Sequence, residues 1–359
     1  MEINALLARL QPHLPWHRAR LVCLAATILA LIKLRTVTLA ELALTLNPRA
    51  KVASNERRLR RFFASFAFDQ QVIARLIVSL IPQKDDLMIS LDRTNWQLGQ
   101  TKINILMAAV AYKGIAIPVV WSLLDKKGNS STQERIELMN RLLKVVPTSK
   151  IEAVVADREF IGNAWFSYLL RAQLRFVIRI KGNAQVGAKT CSPAARQCFE
   201  SLKVGQERLL RKRRLVYGHR LYVIGKRLAK PGSKEDEFAI VVTSERPAQA
   251  FSTYRQRWQI ETLFGALKSR GFDFEATHLR DRDRLARLVA LLSLAFVWAY
   301  LTGLWLHEHV AAIKVKRHGR RARSLFRYGL DYLREVLLNP GSARLRQRWP
   351  TCLHVLSGT

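Results

Sequence analysis

The spacing of apolar residues along this chain changes twice, near Pro82 and near Phe251, and separates a helical stretch, a strand-rich stretch and a second helical stretch. Before Pro82 the period is helical. Arg18 to Leu34 predicts one long apolar helix, and Thr38-Leu-Ala-Glu-Leu-Ala-Leu a short one with Thr36 or Thr38 as its cap. Asn47-Pro48 breaks it, and Ser54 is placed to cap a third helix, SNERRLRRFFASF. After Pro82 the runs shorten. Asp86 to Asp92 (DLMISLD), Lys102 to Tyr112 and Ile115 to Leu124 read as three strands joined by short turns such as Lys113-Gly114, an antiparallel meander. Pro118 places the third at a sheet edge, because proline has no N–H for a second neighbour. A helix from Thr132 to Lys144, a strand from Ile151 to Asp157, a helix from Asn163 to Ala172 and a strand from Arg175 to Gly182 follow.

The order β-β-β-α-β-α-β is that of a ribonuclease-H-like α/β fold, in which catalytic carboxylates sit at strand ends. Residues 183–250 interrupt it. Glycines and the Pro231-Gly232 turn punctuate this segment, and Leu215 to Leu228 and Glu237 to Ser244 read as strands, so it is expected to be a β-rich basic insertion. One continuous helix is predicted from Phe251 to about Arg270, and a long apolar run spans Leu288 to Leu306. The expected divisions are a helical DNA-binding domain at 1–82, core at 83–182, insertion at 183–250, core again at 251–310 and a basic tail at 311–359 for DNA or dimer contacts.

Charge narrows the function. With 60 Lys and Arg against 27 Asp and Glu, the chain carries a formal +33. Self-repulsion on that scale implies a polyanionic partner, nucleic acid or an anionic membrane, and argues against a metabolic enzyme with a small neutral substrate. Arg57, Arg58 and Arg61 cluster on the third helix, so short helix, turn and basic helix outline a helix-turn-helix reader. Arg211, Lys212, Arg213 and Arg214 are the densest basic run. Cys23, Cys191, Cys198 and Cys352 lack zinc-knuckle spacing and are expected to be reduced thiols of a cytoplasmic, nucleoid-associated protein. The N-terminus lacks a signal-peptide layout. Leu288 to Leu306 is long enough to span a membrane, but Ser293, Thr302 and Gly303 within it favour a buried core helix, and no membrane partner is expected.

The chemistry-bearing positions are few. Asp92 and Asp157 end two buried strands of one expected sheet, where they could share a hard divalent cation such as Mg²⁺. Tyr254, Arg257, Glu261 and Lys268 fall within about 60° of one helix face, so a phenol, a guanidinium, a carboxylate and an ammonium share a stripe. The carboxylate could complete a metal site, and the donors could hold phosphate oxygens.

The spacing Y-x2-R-x3-E-x6-K, with an aspartate in LDRTNW and another in VVADREF, resembles the signature of the bacterial insertion-sequence-four family of transposases. The resemblance covers about residues 86–306. It implies a DDE transposase with Asp92, Asp157 and Glu261 as catalytic metal ligands, two Mg²⁺ ions with Mn²⁺ as substitute, and Tyr254, Arg257 and Lys268 on DNA phosphates. It further implies cut-and-paste transposition at terminal inverted repeats by a homodimer, with a hairpin intermediate whose flipped base stacks on an aromatic residue. Tyr217 and Tyr222 are the tyrosines of the insertion available for that role, and Trp258 is expected in the core. Trp96 is expected to pack, and Glu159 to pair with Arg158 or another arginine. Rival readings are another ribonuclease-H-like nuclease or resolvase, and a catalytically silent DNA-binding relative.

Overall fold

The computed structural model describes residues 2–187, 192–229, 237–317 and 319–356. Cys191 and the Pro231-Gly232 turn lie outside the described residues. Five helices come first: α1 (Glu2–Leu10), α2 (Arg18–Leu34), α3 (Leu39–Leu46), α4 (Val52–Ser65) and α5 (Gln70–Leu80). α3 and α4 are locked by buried Asn55, whose amide donates to the carbonyls of Ala43 at 3.0 Å and Asn47 at 2.9 Å. The Asn47 side chain accepts the Arg49 N–H, so the turn closes early and α4 starts at Val52 behind Lys51. Ser54 therefore lies inside the helix rather than capping it. Leu59, Phe62 and Phe63 face the core, leaving Arg57, Arg58 and Arg61 exposed.

The sheet begins with β1 (Leu87–Leu98), β2 (Thr101–Tyr112) and β3 (Ile115–Leu123), and continues after α6 (Thr132–Leu143) with β4 (Ile151–Ala156), then after α7 (Asn163–Arg171) with β5 (Phe176–Arg179). The order is β3-β2-β1-β4-β5, with β1, β2 and β3 antiparallel and β4 and β5 parallel to β1. This is the ribonuclease-H-like arrangement. β3 is an edge strand, and its ladder to β2 shifts at Pro118. β1 runs six residues past Asp92, because Arg93 to Leu98 stay paired with β2. Asp92 is thus mid-strand rather than terminal, at the point where β1 parts from β4.

The insertion extends the same sheet. β6 (Glu207–Leu209), β7 (Arg214–Val216), β8 (His219–Leu228) and β9 (Glu237–Thr243) add as β5-β9-β8-β6, with β7 paired to β8. The single strand expected over Leu215 to Leu228 is a hairpin instead. Tyr217 and Gly218 both take left-handed φ, of 47° and 84°, which matches a two-residue turn joining twisted strands.

The expected helix from Phe251 to Arg270 is also two helices, α8 (Ala250–Arg255) and α9 (Trp258–Leu267). No proline or glycine breaks it. The Arg257 carbonyl accepts the Ser90 hydroxyl of β1 at 3.4 Å and the Ile260 N–H at 3.1 Å, so a contact to the sheet and a tightened turn divide the helix. The C-terminal helices are α10 (Arg282–His309), which packs against β3 and α2, α11 (Leu325–Leu338) and α12 (Ala343–His354). The most apolar window of α10 is 94% buried by the protein itself. α10 and α11 touch backbone to backbone: a Cβ on Gly329 would lie 1.8 Å from the Ala299 carbonyl, and one on Gly303 would lie 1.9 Å from that of Leu325. The tail is ordered into this layer, with the Trp298 indole donating to the Cys352 carbonyl of α12 at 2.6 Å.

Candidate active site

Asp92 and Asp157 come side by side through strand register. β1 and β4 run parallel, and their last ladder pair is Leu91 with Ala156. Each aspartate follows its own partner by one residue and turns its carboxylate back to a main-chain N–H, Asp92 to that of Arg93 at 2.7 Å and Asp157 to that of Arg158 at 2.8 Å.

The break between α8 and α9 brings the third carboxylate in. Tyr254, at the end of α8, donates its hydroxyl to Asp157 Oδ1 at 3.3 Å. Arg257, in the break, donates to Asp92 Oδ2 at 3.3 Å and to Glu261 Oε1 at 2.8 Å. Two of the four stripe residues therefore contact the strand aspartates, and Glu261 joins them through Arg257. Lys268 does not. It falls past the end of α9, pairs with Glu275 at 2.8 Å, donates to the Asn95 carbonyl at 3.4 Å and lies 5.2 Å above the Trp96 ring. Asn95 is three residues along β1 from Asp92, roughly 10 Å at strand rise.

The site is electrostatically tense. Burial pushes Asp92 up to about 6; the Arg93 N–H and Arg257 pull the other way, and Asp157 and Glu261 add to the rise. Burial likewise pushes Tyr254 up to about 12, so its hydroxyl stays a donor. Burial disfavours the charge on Arg257, only 5% exposed, yet Tyr254, Asp157, Asp92 and Glu261 more than offset it. Glu261 keeps 41% of its side chain exposed and gives the cluster an open side.

The donor set is all carboxylate oxygen, which suits a hard divalent cation. Among the described residues no three acidic, imidazole or thiol groups close on one point. The guanidinium of Arg257 stands between Asp92 and Glu261 and supplies the positive charge there. By donor type these carboxylates suit a hard cation, with the Arg257 guanidinium occupying the place between Asp92 and Glu261.

The other nominated residues lie elsewhere. Arg57, Arg58 and Arg61 line α4, and Arg211, Lys212 and Arg213 form an exposed bend before β7, where Arg214 is half-buried. Both tyrosines of the insertion are half-buried: Tyr217 sets its ring edge against Phe166 at 5.7 Å, and Tyr222 lies under the Arg213 guanidinium at 4.7 Å. Trp96 packs on Phe274. Trp258 contradicts its core expectation. It is 59% exposed, three residues before Glu261, with the Arg257 guanidinium 5.1 Å from its ring centroid. The helix break turns it outward, although its spacing from Glu261 was available as a signal.

Residues 83–298 match the model of the family described as Transposase DDE domain. No curated protein matches the chain. Among solved structures it is similar to the piggyBac transposase synaptic complex with hairpin DNA, with TM-score 0.42 and 14% identity over 91% of this chain and 76% of that one. Since the family match spans more than half of its 359 residues, the chain belongs to the DDE-domain transposases.

Proposed function

We propose that this transposase belongs to the insertion-sequence-four family and moves its own element by cut-and-paste, with Asp92, Asp157 and Glu261 as catalytic ligands for two Mg²⁺ ions or Mn²⁺ in their place. The observation that carries the reading is that Tyr254, Arg257 and Glu261, picked out by spacing alone, contact or join the two strand aspartates. Bound metal would supply Lewis-acid activation of a water or 3′-hydroxyl and stabilisation of the leaving oxygen. The chain supplies the rest. Asp92 and Asp157 hold position through main-chain N–H bonds and Glu261 through Arg257, and no covalent protein intermediate is required.

Arg257 has a planar fork of donors that fits a phosphate as well as a carboxylate. Its role is to exchange the carboxylates for the phosphate at the cut, with Tyr254 and Lys268 holding phosphates on either side. Trp258, more exposed than the half-buried Tyr217 and Tyr222, takes the stacking role and offers its ring to a flipped base in a hairpin intermediate. Arg57, Arg58 and Arg61 bind the terminal inverted repeats. The run from Arg211 to Arg214 borders β8, three strand spacings or about 14 Å beyond β4, within reach of a duplex laid across the sheet. The protein acts as a homodimer on paired ends and target DNA, in the bacterial cytoplasm. Incubation with Mg²⁺ and DNA bearing the flanks of its gene then yields 3′-hydroxyl ends at the repeat boundary. Equal cutting of unrelated duplexes would favour the resolvase or repair-nuclease reading.

A further inference from the structure

The β1–β4 ladder stops at Leu91 and Ala156, one residue short of both aspartates. No main-chain pair of that ladder therefore fixes the spacing of Asp92 and Asp157. Immediately beyond them, Arg93 of β1 donates its Nε to Glu159 Oε1 at 2.6 Å, with only 12% and 17% of the two side chains exposed. This pair ties β1 to the loop that follows β4. Arg93 follows Asp92 directly in a strand, so its side chain leaves the opposite face of the sheet. The clasp therefore grips the strands from behind while the carboxylates face Tyr254 and Arg257.

Both ends of the clasp are anchored. Arg93 donates to Asn104 Oδ1 of β2 at 2.8 Å and to Asn129 Oδ1 at 3.2 Å. Asn104 holds the same loop by donating to the carbonyls of Lys126 and Gly128. Glu159 Oε1 also accepts the Ser130 N–H at 3.1 Å and hydroxyl at 2.9 Å. Arg135 of α6 secures the far end, donating to the Ile161 carbonyl at 3.3 Å and lying 5.1 Å from the Phe160 ring centroid. A buried ion pair is seldom a better source of stability than an apolar pair of the same size, so stability alone does not account for this one. Its place, directly behind the two aspartates, does.

We propose that Arg93 and Glu159 are positioning residues that set the Asp92–Asp157 spacing and thereby the affinity of the site for divalent metal. The inference rests on the metal reading given above. Groups that hydrogen-bond metal ligands typically change metal affinity 10- to 100-fold when altered, and a pair that sets the spacing of the ligands is expected to act on that scale.

The test is Mn²⁺ binding to the full-length, DNA-free protein, read by the electron paramagnetic resonance signal of free Mn²⁺. Wild type, Glu159→Gln, Arg93→Lys and Asp157→Asn are compared, with circular dichroism to count folded molecules. Glu159→Gln and Arg93→Lys are expected to bind Mn²⁺ about 10- to 100-fold more weakly per folded molecule. Their binding to DNA ends in Ca²⁺ is expected to match wild type, and their strand cleavage to fall in kcat rather than in KM. The double variant Arg93→Met/Glu159→Met is expected to fold and to show the same weak binding. Wild-type affinity in the folded single variants, or a lowered melting temperature with no change in Mn²⁺ affinity, overturns the clasp alone. Equal Mn²⁺ binding by wild type and Asp157→Asn overturns the metal reading, and the clasp with it.

Discussion

Arg257 and Asp92 are joined by a 3.3 Å ion pair, and the same buried guanidinium holds Glu261 at 2.8 Å, so one arginine ties a strand carboxylate to a helix carboxylate. Removing it leaves two carboxylates without their cation. Arg257→Gln is expected to destabilise the metal-free protein by about 3 kcal/mol, the scale of a buried pair that loses one partner. Mg²⁺ should raise the melting temperature of the variant more than that of wild type, because the cation replaces the lost charge. Equal melting temperatures, with equal responses to Mg²⁺, would contradict this.

The ionisation of Asp92 is costly in the metal-free protein. Its folded value of about 6 lies above its ordinary 3.8, so its contribution to stability is complete below about pH 4 and is lost as pH rises through 6. Asp92→Asn keeps the neutral form at every pH. It is expected to stabilise the metal-free protein at pH 8 by up to about 3 kcal/mol and to have no such effect at pH 4. Denaturant titrations at the two pH values measure it, and a stabilisation that is equal at both would refute the assignment.

Trp258 should matter for chemistry more than for binding. Base stacking on an aromatic ring is worth about 1–3 kcal/mol, so Trp258→Ala should slow hairpin formation roughly 5- to 150-fold. Trp258→Phe keeps a ring, and should restore most of the rate while leaving the packing under Arg257 intact. Unchanged single-turnover hairpin formation in Trp258→Ala would remove Trp258 from the site.

The basic surfaces are expected to act through phosphates. Each of Arg57, Arg58, Arg61, Arg211, Lys212 and Arg213 is exposed, and each change to Gln should reduce the slope of log affinity against log salt by about 0.9. Binding to end DNA and to random duplex should weaken alike for the 211–213 group. A salt slope that does not move would place that residue off the DNA path.

Much of the core was legible because strand and helix periods are local. The residues from Leu87 to Arg179 form the expected elements in the expected order, and Pro118 falls on an edge strand. The site was legible as a set of residue types, since the spacing of Tyr254, Arg257 and Glu261 survives the helix break. What was not legible depends on contacts distant in sequence. The division at Gln256–Arg257 goes with a contact to Ser90, 167 residues away, and turns Trp258 outward, while the end of α9 at Leu267 leaves Lys268 off the stripe. The Arg93–Glu159 pair spans 66 residues, and nothing in the local sequence chooses Arg93 over the adjacent Arg158. The extension of β1 past Asp92 depends on pairing with β2, which a polar stretch such as Arg93 to Gln97 does not advertise.

The most direct test of the central claim is release of the element from its flanking DNA in Mg²⁺, comparing wild type with Asp92→Asn and Glu261→Gln. The account predicts that wild type frees the element with ends at the inverted repeats, and that both variants bind those ends without cutting them. Release by either variant at the wild-type rate would contradict the assignment of the catalytic carboxylates.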